Sequence, residues 1–252
     1  MSVVVVIVVI VAIIVGAVLA QRMNQKRIAA LVQWASAGNW AWSPRRESSP
    51  QHSFSLFNQG HSRFSKNHLT KAGIYPTPGL GAASARLFEY HYAVTTSNGK
   101  TMQENHYWFR CALIEQEADL GQVQIRDENF ADKLVQSIGF DDIDLEDPEF
   151  SKRFVVNAKD RKDAYDLIGA GMMQAMLQHY GWHIETNGRS LLIHRTGRLS
   201  ASMCQEMCDV SAAMLAQLPR TLVNATRASQ GLAPTLEAGA ASAQSRKNVS
   251  AT

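Results

Sequence analysis

Apolar and polar residues fall into three regimes along this chain. From Val3 to Ala20 the sequence is apolar without interruption, VVVVIVVIVAIIVGAVLA. At about 1.5 Å of rise per residue this makes roughly 27 Å of helix, close to the ~30 Å hydrocarbon core of a bilayer. In lipid the backbone must satisfy its own hydrogen bonds, so such a segment is a helix despite its β-branched residues. Ile28, Leu31, Val32 and Ala35 then recur at helical spacing up to Gly38–Asn39, which predicts that the helix continues beyond the membrane to about Ala35. At the other end, from Asn224 onward, alanine, serine and glycine replace large apolar residues, and a disordered tail is expected.

Between these ends the period shortens to two. Trp40 and Trp42 before Pro44 read as a short strand with both indoles on one face, and Arg45–Gln51 as a loop. Phe54–Leu69 alternates weakly, while Thr70–Ala85, with its prolines and glycines, reads as an irregular excursion. Two β-rich runs over Ala85–Ile114 meet at Asn98–Gly99, a dipeptide suited to a tight hairpin turn. A two-residue loop would set Phe88 opposite Phe109, Tyr90 opposite Tyr107 and His91 opposite His106. Phe88, Tyr90, Tyr92, Val94, Tyr107 and Phe109 then form a core face, with Glu89, His91, Glu104 and His106 on the other.

Gln122–Arg126 and Phe154–Ala158 read as strands, Asp127–Ile138 as a helix ended by Gly139, and Asp141–Glu149 as an acidic loop. Asp160 caps a helix over Arg161–Tyr180 with Ile168, Met172, Ala175 and Met176 inward and Gly169 and Gly171 placed for close packing. Asn187–Gly188 joins a second hairpin carrying Trp182, Ile184, Leu191 and Ile193 on one face, and Ser200 caps a last helix to Leu218. The order predicts an α+β fold with a largely antiparallel sheet. Three parts follow: a transmembrane helix with its extension (1–35), one domain (36–222) and a tail (223–252).

Charge adds an orientation. Met1–Phe88 holds nine Lys/Arg against one acid, and the remainder sixteen against twenty-one. Arg22, Lys26 and Arg27 follow the apolar run rather than precede it, which predicts a single-pass protein of the plasma membrane with its N-terminus outside and its domain in the cytoplasm. Val18 and Ala20 would suit a signal peptidase, the rival reading. Cys111, Cys204 and Cys208 are an odd number, in keeping with a reducing compartment. The basic flank is suited to anionic lipid headgroups, and no nucleic-acid-binding module is present to suggest that partner.

The motifs that carry catalysis in common enzyme classes do not occur, so the chain is expected not to be an enzyme and to need no cofactor. The best candidate chemistry is His91 and His106 with Glu89 and Glu104, as a zinc site or pH-sensitive pair, weighed against a plain solvated sheet face. Met203, Cys204, Met207 and Cys208 offer soft ligands a helical turn apart, but Met203, Met207, Val210 and Met214 also make an ordinary apolar stripe. The acids Asp141–Glu149 lack the glycine and closing glutamate of a calcium loop.

W-A-x-x-G-x-W (Trp34–Trp40), F-x-Y-x-Y (Phe88–Tyr92), F-S-K-R-F (Phe150–Phe154) and G-W-x-I-E (Gly181–Glu185) occur in this order. Over roughly Ile28–Leu222 the chain resembles a group of bacterial proteins with a single membrane span. It is similar, in that resemblance, to accessory factors of the respiratory cytochrome bc-oxidase supercomplex. The resemblance implies a non-catalytic accessory subunit docking on a larger membrane complex. The small residues Ala12, Gly16 and Ala20 on one face of the span would admit a partner helix, with the Trp34, Trp40 and Trp42 region against that partner's cytoplasmic side. A membrane-tethered lipid or small-ligand binding domain is the alternative, and a metal-dependent enzyme the second alternative.

Overall fold

The computed structural model describes residues 3–48, 54–77, 79–99, 101–127, 141–143 and 145–235. Its elements run α1 (Val3–Ala37), β1 (Ala41–Ser43), β2 (Glu47–Ser48), a 3-10 turn (Ser55–Asn58), β3 (His61–Tyr75), β4 (Ala83–Ser97) and β5 (Met102–Glu115). They continue with β6 (Val123–Asp127), β7 (Asp141–Asp142), α2 (Pro148–Ser151), β8 (Phe154–Ala158), α3 (Arg161–Leu167) and α4 (Ala170–Gln178). Last come β9 (His183–Asn187), β10 (Ser190–Thr196), α5 (Ala201–Ala216) and α6 (Arg220–Ser229). All described pairings are antiparallel, in the order β1-β3-β4-β5-β10-β9-β6-β8-β7 with β2 also on β3, so the α+β expectation holds.

Alternation along the strands produces two cores. On the helical face Leu69, Leu87, Ala112, Ile125, Ile184 and Ile193 meet Leu31 and Ala35 of α1 and the inward side chains of the later helices. On the aromatic face Phe88, Tyr90, Tyr92 and Phe109 meet Phe54, Leu56 and Phe57 of the 3-10 turn. Each large ring removes roughly 150–250 Å² from water, on the order of 4–6 kcal/mol before ordering costs.

The hairpin register differs from expectation. Ser97 pairs with Met102, so the loop holds four residues rather than two, and Phe88 lies opposite Cys111, Tyr90 opposite Phe109, His91 opposite Trp108 and Ala93 opposite His106. A shift of two residues keeps every side chain on its expected face. In the second hairpin Asn187 pairs with Ser190, and Trp182, Ile184, Leu191 and Ile193 share the helical face as expected.

Several elements depart from the pattern. The stretch read as an irregular excursion is strand as far as Tyr75; bulges and the positive φ of Asn67 and Gly73 had hidden its alternation. The single helix expected over Arg161–Tyr180 is two, broken at Ile168–Gly169, although Asp160 does cap the first through Lys162 N–H. A Cβ on Gly171 would meet only the flexible end of Gln217 and one on Gly169 nothing within 4 Å, so close packing does not require glycine at either position. The expected tail begins as helix: α6 runs through Asn224 to Ser229 and buries Val223 and Thr226. The helix expected over Asp127–Ile138 lies outside the described residues, except that Asp127 ends β6, and so do 236–252 of the tail.

Candidate functional site

The apolar stretch of α1 is long enough to cross a membrane and buries nothing against the rest of the chain. Past it, the same unbroken helix comes down on the helical face of the sheet, where Leu31 and Ala35 are fully buried. Lys71 Nζ donates to the Gly38 carbonyl at 2.6 Å and ties down the helix end. Arg27, one turn before Leu31, pairs with Glu89 of β4 and also donates to the Leu199 carbonyl.

Glu89 has no exposed side-chain surface. Besides Arg27, its oxygens accept from Arg198 Nε at 3.2 Å, Asn67 Nδ2 at 3.1 Å and the Leu199 N–H at 3.0 Å. A buried carboxylate is tolerated only when its lone pairs and charge are matched, and two guanidinium groups with two neutral donors do so here. The Leu199 N–H belongs to the entry of α5, whose first turn Ser200 caps through Met203 N–H. One carboxylate thus joins α1, the sheet and α5.

One row further toward the β4–β5 turn, Phe64, His91 and Trp108 are cross-strand neighbours. The Phe64–His91 and His91–Trp108 ring centroids are each 4.6 Å apart. Cations lie over them: Arg46 is 3.6 Å from the Phe64 centroid, Arg198 3.8 Å and Lys66 4.8 Å from that of Trp108. Burial lowers the Lys66 pKa, Arg198, Arg27 and Arg46 lower it further, and Glu89 opposes them. The cluster therefore carries an excess of positive charge.

His91 and His106 do come together, with His91 Nε2 3.1 Å from His106 Nδ1 and His91 Nδ1 3.2 Å from the Ser62 carbonyl. Burial lowers the His91 pKa; the Ser62 carbonyl opposes this, and His106, Arg46 and Lys66 reinforce it. The other two candidate ligands are elsewhere: Glu104 lies 4.0 Å from His61, and Glu89 is held by Arg27 and Arg198. Among the described residues no three His, Cys, Asp or Glu side chains converge as a metal site. The reading of this face as simply solvated is also corrected, since Glu89 and His91 are buried. Arg27 of α1 and the start of α5 close over Glu89, and the Phe64 and Trp108 rings close over His91.

Ala12, Gly16 and Ala20 are open on α1, and a Cβ on Gly16 would meet nothing. Of the tryptophans assigned to partner contact, Trp40 is 7 % exposed and lies 5.6 Å from Trp34, while Trp34 and Trp42 are half-buried against the domain's core. On α5 the inward stripe is Cys204, Met207, Val210 and Met214. Burial pushes the Cys204 thiol up to about 12 and raises Cys208 as well, which keeps both protonated near neutral pH. In the acidic run Asp141 and Asp142 pair with β8 and Asp147 caps α2; Asp144 lies outside the described residues.

A second polar group, which sequence reasoning missed, is buried on the aromatic face. Glu185 accepts from the Ser55 N–H at 2.6 Å and the Leu56 N–H at 3.2 Å, and lies 3.2 Å from His194 Nε2. His183 stacks on His194 at 5.2 Å, and burial, followed by His194 and the arginines Arg126 and Arg195, pushes its pKa down to about 3. The alternation H-I-E and I-H in β9 and β10 was the available signal. The pocket beside these residues is about 20 Å³, and one among the helices lined by Leu120, Met172 and Met214 is about 10 Å³, room for roughly one water each. An open groove of about 580 Å³ lies at the other end of β3–β5, beside Thr70, Arg86 and Leu113.

No family model and no curated protein matches the sequence. Among solved structures, the chain is similar to the crystal structure of the mycobacterial trehalose monomycolate transport factor A, TtfA. The TM-score is 0.54 at 6 % identity, over 83 % of this chain and 98 % of that one, a likeness of fold. It corrects the kinship implied by the sequence motifs, because the fold is shared with a transport factor and not with a respiratory supercomplex factor. The motif residues Trp40, Phe88, Tyr90, Tyr92, Phe150, Phe154 and Trp182 are all buried and pack within the domain.

Proposed function

We propose that this chain is a non-catalytic, membrane-tethered domain that binds lipid at the surface of the bilayer α1 crosses, as an accessory to lipid handling. The observation that carries it is the continuity of α1 from its apolar stretch to the buried Arg27–Glu89 pair, which would hold one face of the sheet beside the membrane. The fold likeness to a factor named for transport of trehalose monomycolate supports a lipid as ligand. The enclosed pockets near β9 and among the helices are too small for an acyl chain, and the open groove beside Thr70 and Arg86 lies at the end of β3–β5 away from the apolar stretch, so in this reading the chains stay in the bilayer and the domain meets headgroups. The Lys/Arg flank favours a cytoplasmic domain on the plasma membrane.

The test is to extract the full chain in mild detergent and compare its co-purifying lipids with the source membrane by mass spectrometry. A lipid class enriched several-fold is the expected result. A composition equal to the bulk membrane overturns the reading.

A further inference from the structure

The cations Arg46, Lys66 and Arg198 are stacked on an aromatic floor beside the membrane helix, and the one buried carboxylate among them, Glu89, is already shared by Arg27 and Arg198. We propose that Arg46, Lys66 and Arg198, above Phe64 and Trp108, take the phosphate of an anionic phospholipid from the same bilayer that α1 spans.

Two contacts fix the direction in which the cluster lies. Gly38, at the end of α1, bonds to Lys71, which pairs with Ala85 of β4; Arg27, earlier on α1, bonds to Glu89, later on β4. Moving toward the span along α1 is therefore moving toward the β4–β5 turn along the sheet. From Glu89 to His91 is two residues, roughly 7 Å of strand, which corresponds to four or five residues of helix, roughly from Arg27 to Arg22 or Met23. Headgroup regions add roughly 5–7 Å to each side of the hydrocarbon, so a hydrocarbon boundary near Ala20 sets Phe64, His91 and Trp108 at headgroup depth. The cations over Trp108 and Phe64 are then level with lipid phosphates, and the indole has the amphipathic character favoured at that depth.

The chemistry fits one phosphate. Arg198 has Nε committed to Glu89, while the remaining guanidinium nitrogens are not needed there; Arg46 is exposed; and Lys66 is crowded by like charge that an anion would relieve. Arg22 and Lys26, exposed on the same stretch of α1, extend the positive surface toward the bilayer.

This rests on the proposed lipid-binding role and is tested separately from it. The full chain is placed in nanodiscs of phosphatidylcholine or of phosphatidylcholine with phosphatidylglycerol. Acylation of each lysine by a water-soluble reagent is followed by mass spectrometry, with Lys152 and Lys162 on the β8 side as internal references. Lys66 labelling should fall about fivefold with phosphatidylglycerol, the references should not change, and Arg46→Gln, an exposed substitution, should halve the effect or more. Equal Lys66 labelling in the two discs overturns the site. Protection by inorganic phosphate alone in phosphatidylcholine discs also overturns it, in favour of a soluble anion. If the site fails while the extracted chain still carries an enriched lipid, the broader reading stands without this site.

Discussion

Glu89 and Glu185 are buried carboxylates on opposite faces of one sheet, and they solve the same electrostatic problem with different partners. Glu89 is met by two guanidinium groups, one from α1 and one from the entry of α5. Glu185 is met by two backbone N–H groups of the 3-10 turn and by His194. The first arrangement joins elements distant in sequence through full charges. The second holds a short strap on an aromatic core through neutral donors and an imidazole. The difference teaches where each half is vulnerable: the membrane side to loss of charge, the aromatic side to protons.

The largest effect should come from emptying the two carboxylate positions. Glu89→Ala should destabilise the domain by about 3 kcal/mol, the low end for breaking a buried pair because Arg27 and Arg198 retain some access to water. Glu185→Ala, which strands two N–H groups, should cost about 2 kcal/mol. Urea unfolding of the full chain in detergent, followed by tryptophan fluorescence, measures both; a Glu89→Ala loss under about 1 kcal/mol would contradict the charged junction.

Acid sharpens the contrast next. His183 has a folded pKa of about 3, below its unfolded value near 6.5, so the unfolded chain binds a proton that the folded chain refuses between those limits. Stability is full above about pH 6.5 and falls toward pH 3, by about 1.4 kcal/mol per unit and so about 2 kcal/mol by pH 5. His91 and His68, also lowered by burial, act in the same direction. Urea midpoints between pH 7 and 5 should fall in the wild type and fall less in His183→Asn; parallel slopes would remove His183 as the cause.

The smallest change is expected from Arg27→Ala, about 1 kcal/mol, because Glu89 keeps Arg198, Asn67 and the Leu199 N–H. Its sharper readout is proteolysis across Gln21–Ala30 of nanodisc-held protein, which should accelerate once the helix is unclipped. Unchanged cleavage would show that Leu31 and Ala35 alone seat the helix.

Local patterns made the architecture readable because they depend on neighbours in sequence. Alternation in β4 and β5 put Phe88, Tyr90 and Phe109 in the core even though the turn was misjudged, since a slip of two preserves sidedness. The Ser200 and Asp160 caps were readable from residue type and spacing. β3 was only partly readable, because bulges at His61/Phe64, Lys66/Leu69 and Lys71/Tyr75 break the period. The candidate site was the least legible part. Glu89 and His91 were singled out for the right strand and the wrong environment, because Glu89 is met by Arg27 and Arg198, 62 and 109 residues away along the chain, and His91 is covered by the Phe64 and Trp108 rings. Lys66 and Trp108 carried no motif at all, and only the sheet register makes them neighbours.

The unbroken run of α1 from Val3 to Ala37 has a mechanical consequence. With no hinge between the apolar stretch and the turns that pack on α5 and β1 and pair with Glu89, the apolar stretch and the sheet share one rotational coordinate. Transmembrane helices tilt to match bilayer thickness, and if α1 spans a bilayer any such tilt would become an equal rotation of the domain. For a point about 30 Å from the pivot, roughly 10° of tilt is about 5 Å of travel, enough to carry the β4–β5 turn and the cationic row behind it across most of a headgroup layer. Bilayer thickness would thereby be converted into the height at which the sheet rides.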